Sequence, residues 1–345
     1  MKRFLILMLL AVFAVTPLMA QKATDFLPAN PEIIININLK QLLSNPEIKA
    51  SVQKSFNSEA YNSDYKKFLE STGIDPFESL DSVALFLSEN FNPEKPAGAA
   101  IIKGKFFPDK FKEEMDKEVK KNAAANSQAK LPDIQLVKAK DGIYDIIPSG
   151  QAEPGKEQMF GFFDKEVIVA GTKAEVDKVR AVYTKKARTV TQADAVYGSL
   201  QNFNPKAVVS AAVMLNAQFR KTLTDSEDPS MEALSNVKSF LLNIIHDKDL
   251  NLELAAHTMT PQALPEVQTA LNGYLTMIKG FLSDATTPSP NETAEQKAVR
   301  EAVISVNDSI ALKKVAPDAV MLTLKISEKV IETFTAEQPK AQGMK

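Results

Sequence analysis

The chain has 345 residues, a net charge of −2, two histidines and no cysteine. Without cysteine there is no disulfide framework, thiol nucleophile, thiolate zinc site or iron–sulfur cluster. The 41 basic and 43 acidic residues are interspersed, so no electrostatic feature draws the protein to nucleic acid.

Residues 1–20 read as a signal peptide. Lys2 and Arg3 supply a positive start, residues 4–15 are an unbroken apolar run, and Pro17 and Ala20 follow. The run is shorter than the roughly 20 residues a spanning helix needs. No cysteine follows it, so a lipid-anchored lipoprotein is not expected. The expectation is an exported protein, periplasmic or secreted, with no transmembrane segment after processing.

A first module is expected over 21–190. Its β-branched run at 32–38 predicts a strand. Leu39, Leu42 and Leu43 predict a helix that Pro46 interrupts. Tyr61, Tyr65, Phe68 and Leu69 share a helical face, which Gly73 ends. Strands follow at 82–88 and 98–106. Phe111, Met115 and Val119 predict an amphipathic helix, and 122–133 a loop. One or two strands are expected in 134–147, with Asp141-Gly142 as a turn. A hairpin is expected over 158–171 around Asp164-Lys165. Thr172 and Glu175 predict a capping box on a helix that runs to Tyr183.

A second module is expected over 191–336, and a disordered tail over 337–345. Strand 207–215 leads to a helix around Phe219. Strands 236–245 and 250–258 pair across Asp247-Lys248-Asp249. Thr260 and Pro261 open the longest apolar helix, through Leu264, Val267, Leu271, Ile278 and Phe281. A loop at 284–294, a helix near 294–304, strands 309–315 and 319–326 and a helix at 327–335 complete it.

Four segments recur in order. PEIIININLKQLL from Pro31 matches PKAVVSAAVMLNAQF from Pro205. Leu80, Val83, Phe86 and Leu87 match Leu234, Val237, Phe240 and Leu241 at identical spacing. Residues 99–111 match 252–264, and 164–176 match 317–329. The fold class expected is therefore α+β. It comprises two related copies of a β-α-β-β-α-β-β-α module, with mainly antiparallel sheets and helices on one face.

Candidate chemistry is sparse. His246, Asp247, Asp249 and His257 lie close in sequence, but no metal-ligand spacing connects them, and a hairpin turn explains the aspartates. No phosphate loop and no Gly-x-Ser-x-Gly elbow occurs. No catalytic residue, metal or cofactor is assigned, and the chain is not read as an enzyme. Asn291-Glu292-Thr293 and Asn307-Asp308-Ser309 match a glycosylation sequon, which is accidental in a bacterium. The candidate ligand-binding residues are Leu264, Leu271, Ile278 and Phe281. Their helix can line a lipid or peptide groove, although a core helix over a sheet has the same pattern.

Three elements carry a family resemblance: FLPANPEIIININL at Phe26 to Leu39, GIYDI at Gly142 to Ile146, and FFDKEVIVAGTKAEVDKV at Phe162 to Val179. They resemble a group of exported bacterial proteins that contain a domain of unknown function. The resemblance covers the first module and, in outline, the second. It implies an exported origin in a Gram-negative bacterium and carries no catalytic residues. Three functions are compatible with this reading: a non-catalytic module binding a protein, peptide or envelope component; a periplasmic carrier of an apolar ligand; and a hydrolase of envelope polymers.

Overall fold

The computed structural model describes residues 22–56, 75–88, 97–110, 113, 117, 133–138, 144–149, 158–190, 204–284 and 286–336. The leader, the linker at 191–203, the tail, the helix through Tyr61 and Tyr65 and the expected loop at 122–133, except Asp133, lie outside them. So does the helix through Phe111, apart from Glu113 and Lys117.

Strands form where β-branched and apolar residues alternate with polar ones or cluster between turn residues. In the first half they are β1 (Ile33–Ile37), β2 (Leu80–Leu87), β3 (Gly98–Gly104), β4 (Asp133–Lys138), β5 (Tyr144–Ser149), β6 (Gln158–Phe162) and β7 (Val167–Thr172). In the second half they are β8 (Ala207–Met214), β9 (Val237–His246), β10 (Leu250–Thr258), β11 (Ala311–Ala316) and β12 (Ala319–Ile326).

These strands join in one sheet, ordered β11-β12-β10-β9-β8-β1-β2-β3-β7-β6-β5-β4. Every pairing is antiparallel. The plural sheets expected from sequence are thus a single sheet. The join is between β1 and β8, where Ile34 stands opposite Ala212 and Asn36 opposite Ser210.

The helices are α1 (Leu39–Leu42), α2 (Pro46–Phe56), α3 (Pro76–Ser79), α4 (Lys173–Tyr183), α5 (Ala217–Thr224), α6 (Pro229–Leu234), α7 (Leu264–Asp284), α8 (Ala294–Ser309) and α9 (Glu328–Ala336). Pro46 opens α2 because a proline at the first helical position gives up an N–H that has no partner there anyway. The same logic places Pro76 and Pro229, whose helices are capped by the carboxylates of Asp75 and Asp228.

Helices cover both faces of the sheet, not the single face expected. Register shows this directly. Ile34, Phe86 and Ala99 stand side by side, as do Ala84, Ile101 and Val169. They form one core with Phe26 and with Val176 and Val179 of α4. Ala212 shares that face, so the next residue, Val213, points the other way. Val213, Phe240, Ala256 and Val320 build the second core, against Leu264 and Val267 of α7. A third cluster of Phe106, Phe162 and Ile168, with Ile102, lies on this same second face at the other half of the sheet. An amphipathic pattern names a buried stripe but not the side of the sheet on which it lands, which is why the layering was not legible.

Two local features anchor α4. Asp164 closes the β6–β7 turn, accepting the backbone N–H groups of Glu166 at 2.6 Å and Val167 at 2.7 Å. Its second carboxylate oxygen accepts the Tyr183 hydroxyl. Burial foremost, and then the Asp164 carboxylate, push the Tyr183 phenol well above its ordinary pKa, so it stays a donor. The Tyr183 ring packs on Phe26 and Phe163, with centroids 5.5 and 5.3 Å away.

The expected capping box at Thr172 and Glu175 does not form. Thr172 is the N-cap of α4 but makes no side-chain cap bond, and Glu175 instead accepts from Lys178 at 2.8 Å. A box does form at α8, between Thr293, at the end of the expected loop, and Gln296 in the helix expected near 294–304.

Gly171 is required by close approach. A Cβ there would sit 2.4 Å from the Gly98 carbonyl oxygen and 2.5 Å from the Ala99 Cβ. Because backbone cannot yield cheaply, Gly171→Ala is expected to destabilise the fold by about 2 kcal/mol or more, measured as a shift in the urea midpoint.

Candidate functional site

The long helix α7 carries the four candidate residues, and its geometry separates them. Residues seven apart in an α-helix lie almost in line. Leu264, Leu271 and Ile278 form one such line; Val267, Tyr274 and Phe281 form another. Leu264 is 2% exposed and Val267 fully buried, Leu271 and Tyr274 are half-buried, and Ile278 and Phe281 are 47% and 70% exposed. Leu275 is buried and Leu282 half-buried, so the helix stays packed on one flank while the flank of Ile278 and Phe281 turns outward. Leu264 and Leu271 belong to the core, Ile278 and Phe281 do not, and the four do not line one groove. Met277, beside Ile278, is also exposed.

The sheet face under α7 is aliphatic far beyond the second core. Ile35, Ala211, Leu242, Leu254, Leu322 and Leu312 stand in register across six strands. Ile37, Val209, Ile244, Leu252 and Leu324 form the next row. All of them are only half-buried. The opposite face has a polar row at the same level: Asn36, Ser210, Asn243, Glu253 and Thr323. Within it the Ser210 hydroxyl donates to the Asn243 carboxamide oxygen at 2.9 Å. At this level the second half of the sheet thus has an aliphatic row on one side and a polar row on the other, the polar row being flanked by Ala212, Leu241, Ala255 and Met321. The signal for this was present in the alternation of Ile35-Asn36-Ile37-Asn38 and Leu250-Asn251-Leu252-Glu253-Leu254.

A cleft of about 910 Å³ opens on a different flank of α7, between it and α6. Thr224, Glu232 and Glu266 line it together with Pro229, Ala233 and Pro265, so its walls mix polar and apolar groups.

The histidine and aspartate cluster resolves into structural roles. Asp247 accepts the N–H groups of Lys248 and Asp249 and so closes the β9–β10 turn. Asp249 pairs with Lys325 at 2.6 Å and accepts the Glu328 N–H at the start of α9. These hydrogen bonds hold both carboxyls below the usual range. His246 lies 3.4 Å from the Asn45 carboxamide nitrogen, while His257 stands opposite Ser239 on the other face. Among the described residues no three acidic or histidine side chains converge as a metal site. Among the described residues the buried carboxylates are Glu32, which accepts from Asn216 at 2.9 Å, and Glu175, which is paired with Lys178. No described helix is long and apolar enough to cross a membrane.

No protein-family profile matches the chain, and no curated protein does. Two crystal structures of TP0453 are similar in outline. Form III has a TM-score of 0.42 at 9% identity, over 92% of this chain and 99% of that one. Form IV has a TM-score of 0.43 at 10% identity, over 91% and 96%.

Burial of His257 lowers its pKa, with Lys238 adding to the effect and Asp318 opposing it. The folded imidazole therefore protonates at lower pH than the unfolded one, whose value is near 6.5. As pH falls through that value the unfolded chain takes up the proton first, and stability declines. His257→Gln should flatten this decline, read as the change in urea midpoint between about pH 7.5 and about pH 5.5.

Proposed function

We propose that the chain is an exported, non-catalytic module of two related copies that binds an apolar component of the cell envelope. The observation that carries this reading is the stripe of α7, buried at Leu264 and open at Ile278 and Phe281. Exposed apolar surface that is contiguous rather than scattered marks an interaction site. The half-buried aliphatic rows of the sheet extend the same character.

The two-copy element of the proposal is supported by the strand order. On either side of β1 and β8 the sheet runs outward through β2, β3, β7 and β6, and through β9, β10, β12 and β11. Both central strands are followed by an asparagine, Asn38 or Asn216, whose carboxamide oxygen caps the next helix. Ile101 pairs with Val169 as Leu254 pairs with Leu322, the residue pairs the sequence match equates. The faces do not correspond: Ile101, Val169 and Phe86 share the face of Ile34, whereas Leu254, Leu322 and Phe240 lie on the other.

A binding role is favoured over hydrolysis because Glu32 and Glu175 each have a local partner. Neither is poised as a proton donor beside a second carboxylate. Export is tested by N-terminal sequencing of the protein recovered from an expressing Gram-negative cell, with Gln21 as the expected first residue. Binding is tested with anilinonaphthalene sulfonate, a dye that fluoresces on apolar surface. The native protein should enhance its emission, and Ile278→Asn with Phe281→Asn should remove at least about half of the enhancement. A native protein that leaves the dye dark below its unfolding transition would sink the proposal.

A further inference from the structure

We infer that the exposed flank at the end of α7, formed by Met277, Ile278 and Phe281, docks on the surface of a phospholipid bilayer. This rests on the apolar-surface reading above and names the occupant of that surface.

Three observations select a bilayer. The first is charge. Between Glu266 and Asp284 the helix carries no acidic residue and one basic residue, Lys279, in a chain with 43 acidic side chains. An apolar face with a cation beside it matches the interface, where acyl chains lie beneath anionic phosphates.

The second is area. Met277, Ile278 and Phe281 together expose on the order of 300 Å². A stable protein partner needs about 800 Å² per side, so a second copy seated on this patch alone would be held weakly. A bilayer imposes no such threshold on one contact.

The third is length. From Met277 to the end of α7 is about two turns, or roughly 10 Å of helix. That is far short of a span, and no described helix is long and apolar enough to cross. It suits a helix end lying about 5–10 Å deep in the headgroup region.

The protein contains no tryptophan, so Phe281→Trp places a single reporter at the predicted contact. Vesicles of phosphatidylethanolamine and phosphatidylglycerol are added to the exported protein. The expected result is a shift of emission to shorter wavelength that saturates with lipid. In parallel, Ile278→Glu with Phe281→Glu should lower vesicle co-sedimentation at least roughly tenfold. Its thermal midpoint should be unchanged, because neither side chain belongs to the core.

A reporter that stays water-exposed at saturating lipid overturns the inference. A shift that grows with protein concentration and needs no lipid overturns it in favour of a second copy. A shift with a soluble fatty acid but not with vesicles overturns it in favour of a single enclosed chain. In each of these cases dye binding by the native protein leaves the apolar-surface reading standing, and a dark dye removes both.

Discussion

The pairing of β1 with β8 is the contact on which the rest of the fold depends. It joins strands from the two halves of the chain into one sheet, in a register that sets Ile34 beside Ala212 and Asn36 beside Ser210. A sheet residue and its cross-strand neighbour share a face, and a slip of one position would exchange the faces. Fixing β1 against β8 therefore decides two things together. It places Phe86, Ile101 and Val169 under α4, and it places Phe240, Ala256 and Val320 under α7.

The same register produces the asymmetry that bears on function. In the first half, the face carrying Ile34 is buried under α4 and the 3-10 turn Ala23–Phe26. In the second half that face turns polar at Asn243 and Glu253, and the opposite face becomes a broad aliphatic surface. The helix over that surface stays packed through Leu275 and Leu282, and its other flank is exposed at Met277, Ile278 and Phe281. The candidate site is that flank of a core element, where the apolar pattern is wider than the packing beneath it.

Most elements were legible because their signals are local. The β9–β10 turn at Asp247 to Asp249 announces itself by its carboxylates, and the β6–β7 turn by Asp164. The start of α4 after Thr172 was also readable, though the capping box was not, since Lys178 competes for Glu175 at an i,i+3 distance. The short helix at Pro229 was missed because six residues carry no period. The candidate site was half-legible. Periodicity selected Leu264, Leu271, Ile278 and Phe281 as one apolar face, and they fall on two adjacent lines of it, Phe281 apart from the other three. It could not reveal that the packing follows Leu275 and Leu282 and leaves Ile278 and Phe281 outside, because the extent of a partner surface is written in strands far away in the chain.

The position of β1 in the sheet also sets the order of events during synthesis. Its first neighbour, β2, emerges soon after it, but its second, β8, is made only once the whole first half has left the ribosome. At about 5–20 residues per second that is a wait on the order of ten seconds or more. Throughout it the aliphatic edge Ile33–Ile37 has one side unpaired, and an open strand edge recruits whatever strand it meets. Long-range pairings of this kind also close slowly. A chain built this way needs an escort or an unfolded passage until β8 arrives, and the central strand, the earliest made, is among the last to be completed.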